Sequence, residues 1–174
     1  FGAPSDMARV LRARIRSELE LPASAGIADS KFVAKIASDV AKPDGQTEVA
    51  AGTAKAFLAP LPVARLWGVG PKTEQQLHAL GLKSIGDIAA REVDWLERRL
   101  GPLGRHLWSL AQGLDERPVV PDREAKSLGA QDTFAEDVHD EESLVVHIHS
   151  QAFRVGRRLR RAGVKARAVQ LTIK

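Results

Sequence analysis

The stretch Leu66-Trp67-Gly68-Val69-Gly70-Pro71-Lys72-Thr73-Glu74-Gln75-Gln76-Leu77 constrains this chain more than any other. Apolar residues alternate with glycines, and the chain then opens into a helix. Two glycines let a backbone turn tightly with no Cβ in the way. Pro71 suits a first helical turn, where its missing N–H costs nothing. The pattern is that of a helix-hairpin-helix. It turns the N–H groups of Gly68, Gly70 and the next helix's first turn outward, and orphan donors at a helix start make a ready anion site. Lys72 adds charge and Thr73 a hydroxyl. Such a corner grips a phosphate without reading base sequence. The bland alternative is a plain helix–helix turn. The flanking leucines, Pro71, Lys72, Thr73 and Leu77 favour the phosphate-binding form.

The hairpin sits inside an all-helical piece from about Gly52 to Asp115, broken by Pro60, Pro62, Gly81, Gly101 and Gly104. Ser84 with Asp87 three residues on makes a capping box. Leu96, Leu100, Leu103, Leu107, Trp108 and Leu110 supply a core; Trp67, Trp95 and Trp108 could stack bases, but helical context favours core packing. The piece before it differs. Ser5 is expected to cap a helix carrying Met7, Val10, Leu11, Ile15 and Leu19, which Pro22 stops. Ala23 to Ala28 reads as a short buried strand. Asp29 or Ser30 caps a second helix with Phe32, Val33 and Ile36. Lys42-Pro43-Asp44-Gly45 is a turn, and Thr47-Glu48-Val49 a second strand. Two strands do not make a stable sheet alone, so the rest of that sheet is expected upstream of Phe1.

Arg117 to Arg123, with two prolines, reads as a stiff extended linker. Beyond it, Lys126 to Phe134 is expected to be a strand. Asp140-Glu141-Glu142 puts negative charge at a helix start, and Leu144, Ile148, Ala152, Val155 and Leu159 trace one face up to Gly163. Val169, Leu171 and Ile173 alternate with polar residues as a half-buried strand does.

Charge and composition exclude several functions. The 174 residues carry 26 Lys+Arg and 22 Asp+Glu, a net charge of +4. The surplus gathers at the C-terminal end, around Arg154, Arg157, Arg158, Arg160 and Arg161. A local basic excess suits a polyanion, although a charge run alone reads first as a solvated helix face. Zero cysteine removes disulfides, thiolate zinc sites and cysteine nucleophiles. No apolar run approaches the ~18 residues a membrane span needs, so no membrane partner is expected. His147 and His149, two apart, point to different sides of a helix and make no zinc pair. Gly68-Val69-Gly70 lacks the Gly-Lys-Ser/Thr ending of a P-loop.

Lys31 and Lys35, four apart, share a helix face. A lysine at a helix start near a strand end can meet a triphosphate, but composition alone does not tell that from a solvated lysine pair, and without more context the solvated pair is favoured. Context decides more. Ala25-Gly26-Ile27-Ala28, Lys31-Phe32-Val33-Ala34-Lys35-Ile36-Ala37-Ser38-Asp39 and Lys42-Pro43-Asp44-Gly45 resemble the end of the palm in Y-family translesion DNA polymerases, bacterial DNA polymerase IV being the nearest branch. Leu61-Pro62-Val63 through Thr73, and Leu80-Gly81-Leu82, resemble that family's thumb. Leu110 to Asp115 resembles the thumb's exit, and Lys126-Ser127-Leu128-Gly129 the opening of the little finger. The resemblance covers nearly the whole chain in family order.

It implies a multi-domain α/β and α fold: residues 1–51 the C-terminal part of a palm (α+β), 52–116 a helical thumb with the helix-hairpin-helix, 117–123 a linker, and 124–174 the start of a βαβ little finger. It implies that Lys31 lies near the incoming nucleotide's phosphates. Gly68, Val69, Gly70, Lys72 and Thr73 would hold the primer-side backbone. Lys126, Ser127, Arg167 and Lys174 would touch DNA from the little finger. The implied partners are primer-template DNA and a deoxynucleoside triphosphate in the full-length enzyme, in a bacterial cytoplasm at the nucleoid. Any sliding-clamp motif would lie after Lys174. The family's chemistry uses two Mg²⁺ ions on carboxylates. The resemblance places those before Phe1; Asp39 and Asp44 read as helix-end and turn residues, and Glu141 and Glu142 sit at a helix N-terminus, so they do not replace them. No catalytic residue and no metal ligand is therefore expected here, and the segment alone is expected not to polymerise. Two rivals remain. One is a polymerase-like accessory repair protein without the carboxylates. The other is a plain helix-hairpin-helix module of a nuclease or ligase, which predicts no sheet before the hairpin.

Overall fold

Helix α1 (Pro4–Leu19) begins one residue before the expected cap. The computed structural model describes residues 2–122 and 125–173. Ala3 is the N-cap and Pro4 the first helical residue, so Ser5 already lies inside the helix. Proline's fixed φ starts the helix without any side-chain cap. The helix also ends before Pro22, at Glu20, whose left-handed φ of 57° turns the chain away. Arg12 ties α1 down: its Nε donates to the Ala23 carbonyl at 2.8 Å and its Nη2 to that of Asp44 at 2.5 Å. Arg16 reaches the Asp44 carboxylate as well.

Strand β1 (Ala25–Ile27) and strand β2 (Gln46–Glu48) pair in parallel, Gly26 opposite Thr47. Helix α2 (Lys31–Val40) is the crossover between them, as a parallel pair requires. Ser30 caps α2, its Oγ accepting from Val33 N. The helix lies so close to β1 that a Cβ on Gly26 would come 2.0 Å from the Ala34 carbonyl oxygen. Glycine is a packing requirement there. Because a sheet precedes the hairpin, the free-standing nuclease or ligase module is excluded by its own criterion.

Six short helical elements follow: α3 (Ala54–Leu58), a 3₁₀ turn (Val63–Arg65), α4 (Pro71–Ala79), α5 (Ile85–Ala89), α6 (Val93–Leu100) and α7 (Pro102–Ala111). Ser84 and Asp87 form the expected capping box. One cluster of buried apolar side chains runs from Phe32 to Ala111 and includes Leu58, Leu77, Ile85, Leu96, Leu107 and Leu110. Leu100, Leu103, Trp95 and Trp108 pack against its edge.

The chain divides into two compact units, Phe1–Val119 and Val120–Lys174. The second contains helix α8 (Glu141–Ala162), capped by Asp140 and closed by Gly163 with φ 67°. Neither expected strand forms. Residues 126–134 and 169–173 are irregular, and Val169 is 93% exposed. A strand needs a hydrogen-bonding neighbour and a surface for its apolar face, and alternation by itself provides neither. The βαβ expectation is thus reduced to its helix among the described residues. Arg123, at the end of the expected linker, and Lys174 lie outside those residues.

Candidate nucleic-acid interface

The hairpin is built from both ends. Before the glycines, the 3₁₀ turn fixes the incoming arm: Val63 N donates to the Lys83 carbonyl at 3.1 Å. The arms are then locked by Ile85 N to Leu61 O at 2.8 Å and Gly86 N to Ala59 O at 2.9 Å. Leu66, Leu77 and Leu82 are buried beneath the corner. The corner itself is a tight turn closed by Val69 N to Leu66 O at 3.1 Å. Gly68 has φ 91°, a conformation that L side chains rarely adopt. Gly70 is the N-cap of α4, and a Cβ built on it meets nothing within 4 Å.

That geometry decides where the donors go. The first intrahelical bond runs from Glu74 N to Gly70 O at 2.9 Å. Gly70 offers no side chain to cap the turn. Among the described residues, the amides of Gly68, Gly70, Lys72 and Thr73 meet no backbone acceptor. Gly68, Gly70 and Lys72 are exposed, and Thr73 and Val69 are half-buried. The Val69 side chain packs inward on the core. The result is an exposed row of N–H groups at the positive end of a nine-residue helix that carries Lys72 in its first turn.

Lys31 is the first residue of α2. Its Nζ donates to the Pro118 carbonyl at 2.7 Å. The ring of Phe32, the next residue, meets the ring of Trp67 edge-on at 5.7 Å between centroids. The start of α2 and the hairpin are therefore neighbours, and six of the expected site residues fall within one unit. Trp67 itself departs from the expectation of core burial: it is 36% exposed, and the Arg117 guanidinium lies 4.6 Å over its ring. Lys126, Ser127 and Arg167 are exposed in irregular segments of the second unit.

Asp115 and Arg117 are the site residues that the sequence did not reveal. Asp115 accepts from Phe32 N at 3.2 Å and from Arg117 Nε at 2.5 Å. The Arg117 hydrogen bonds hold the Asp115 carboxyl below its ordinary value, and the carboxylate in turn raises the arginine. No local spacing announces a contact across 83 positions.

Among the described residues, no group of three or more His, Asp or Glu side chains is placed to hold a metal ion. The described carboxylates therefore do not fit the two-ion chemistry. No helix of the described residues is long and apolar enough to cross a membrane.

Three family models match in order. The impB/mucB/samB family matches residues 1–39, the IMS family HHH motif residues 52–82, and the impB/mucB/samB family C-terminal domain residues 125–174. The chain is 45% identical over 161 residues to DNA polymerase IV of Stenotrophomonas maltophilia, covering 91% of the chain and 44% of the relative. It is 43% identical over 170 residues to DNA polymerase IV of Xanthomonas campestris, covering 98% and 47%. The chain thus spans just under half the length of these relatives. Among solved structures, DinB from Sulfolobus solfataricus matches with a TM-score of 0.58 at 28% identity, over 66% of this chain and 34% of that one. An insertion ternary complex of Dbh DNA polymerase matches with a TM-score of 0.63 over 88% of this chain and 44% of that one; at 22% identity it speaks for the fold alone.

Proposed function

The chain belongs to the impB/mucB/samB family of Y-family polymerases, its curated relatives being DNA polymerase IV proteins, and from that premise we propose that it is the DNA-binding portion of an error-prone translesion polymerase. Residues 1–51 act as the end of the palm, 52–116 as the thumb, 117–123 as a linker and 124–174 as the start of the little finger. The thumb hairpin holds the sugar-phosphate backbone of primer-template DNA through the amides of Gly68, Gly70, Lys72 and Thr73, with Val69 seating the turn and Lys72 adding charge. Amides and an ammonium read the backbone rather than the bases, which suits an enzyme that must hold distorted templates. Lys126, Ser127, Arg167 and Lys174 add backbone contacts from the little finger.

Lys31 sits at the start of α2, where an ammonium meets the triphosphate of an incoming deoxynucleotide. Template-directed nucleotidyl transfer belongs to the full-length enzyme. Mg²⁺ there supplies charge neutralisation on carboxylates outside this segment. The working compartment is the bacterial cytoplasm at the nucleoid. The observation that carries the reading is the open row of amides around Gly70.

The test is a salt titration of the 174-residue chain against a labelled duplex. Each phosphate neutralised contributes a slope of roughly −0.9 in log K against log salt. Lys72→Ala is expected to weaken binding and to flatten that slope by about one phosphate's worth. Gly70→Leu, which has room for its side chain, is expected to weaken binding about tenfold or more by covering the amides. Wild-type affinity in both variants would refute the hairpin assignment.

A further inference from the structure

Asp115 is nearly sealed from solvent, its side chain 3% exposed. A carboxylate so covered needs pairing and hydrogen bonds. Asp115 receives the Phe32 amide at 3.2 Å, Arg117 Nε at 2.5 Å, Arg117 Nη2 at 3.0 Å and the Arg117 amide at 3.4 Å. Phe32 is the second residue of α2, so its N–H is one of the helix's orphan donors. Ser30 satisfies Val33 from the N-cap, while Asp115 satisfies Phe32 from 83 residues away. The arginine that Asp115 holds then lies over Trp67, and Trp67 leans on the ring of Phe32. Amide, carboxylate, guanidinium, indole and phenyl close a ring that begins and ends on one residue. Its one link in the hairpin is Trp67, next to the left-handed Gly68.

The geometry points to Asp115 as a positioning residue. Through Arg117 and Trp67 it holds the glycine hairpin in its phosphate-binding posture against the start of α2. This rests on the reading that the hairpin grips phosphate. Glycines make the corner free to move, and an open corner that must be ordered at binding loses affinity. The clamp orders it beforehand. Arg117 is spent on Asp115 and Trp67, so it is a strut and not a phosphate contact.

The sign of the effect separates this from plain electrostatics. Asp115→Asn removes a negative charge beside the DNA surface and frees an arginine, and charge alone would tighten binding. The clamp requires the opposite. Salt-titrated affinity of the 174-residue chain for a labelled duplex is measured for Asp115→Asn and Arg117→Lys, the latter keeping charge while losing the planar fork. Hydrogen exchange at the Phe32 amide is followed in both. The expected result is a loss of about threefold to tenfold in each variant with the salt slope unchanged. The Phe32 amide stays protected in Asp115→Asn, because the asparagine carbonyl still accepts. Unchanged or tighter binding in both variants overturns the proposal, as does a changed slope. Loss of Phe32 protection together with binding overturns it too, since Asp115 would then be only a helix cap. Gly70→Leu measured alongside separates the two readings. If it leaves affinity intact, phosphate binding at the hairpin fails. If it weakens binding while the Asp115 and Arg117 variants do not, only the clamp fails.

Discussion

Helix α8 runs for 22 residues and α4 for nine, yet Leu77 on α4 is fully buried while α8 holds no buried residue. The same contrast separates α1, with 16 residues and none buried, from α5, whose five residues bury Ile85 and Ile88. Length and amphipathic patterning do not make a core. A helix gains most of its stability from what its apolar face packs against. In residues 54–111 the short elements find such partners in one another, α6 and α5 both packing on α7, α3 on α5 and α4 on the 3₁₀ turn, and backbone bonds across the hairpin arms hold the set together. The face of α8 that carries Leu144, Ile148, Val155 and Leu159 is only half-covered. The region 54–111 is thus a finished object, and a finished object can hold an open loop such as the glycine corner in one shape.

The contrast can be broken hardest at two glycines. Gly26→Ala forces a Cβ onto the backbone of α2, 2.0 Å from Ala34 O and 2.3 Å from Ser38 N. It is expected to cost the first unit about 4 kcal/mol or more in denaturant melts. Gly156→Ala in α8 meets only the end of the Arg160 side chain at 3.4 Å. It is expected to raise the helicity of the second unit, with a gain of about 0.5–1 kcal/mol from propensity. Equal responses would erase the distinction between the regions. Next in size comes side-chain deletion. Leu77→Ala, at a fully buried site, is expected to cost about 2–5 kcal/mol. Val155→Ala on half-covered α8 is expected to cost under about 1 kcal/mol, read from the same melts.

The smallest effect is a pH dependence. Hydrogen bonds from Lys35 and Lys42 pull the Asp39 carboxyl from 3.8 down to about 2. A carboxyl depressed in the folded state contributes stability above its unfolded value and loses it as pH falls through the folded one. The first unit is therefore expected to lose that contribution between pH 3.8 and about 2. Asp39→Asn should flatten this acid limb in melts run across that range. A limb that persists in the variant would assign the acid sensitivity elsewhere.

Much of the first unit was legible because its signals are local. Ser30, Ser84 with Asp87, and the Gly68–Lys72 corner each act within a few residues of themselves. The cap of α1 lies two positions before the expected Ser5, at Ala3, because proline starts a helix as well as a serine does and Pro4 stands first. The strands expected at 126–134 and 169–173 did not form, because alternation describes a surface seeking a partner and cannot provide one. Helical context assigns Trp67 to the core, whereas it sits at the surface beneath the Arg117 guanidinium. The Asp115 clamp was invisible for the opposite reason: every residue in it is ordinary, and only the fold brings positions 32, 67, 115 and 117 together.

The most direct measurement is an amide-resolved NMR titration of the ¹⁵N-labelled chain with a short DNA duplex, repeated at raised salt. Gly68, Gly70, Lys72 and Thr73 should shift first and furthest, and the shifts should shrink as salt displaces the phosphate. Shifts gathered elsewhere, with these four amides unmoved at saturating DNA, would contradict the phosphate-binding corner.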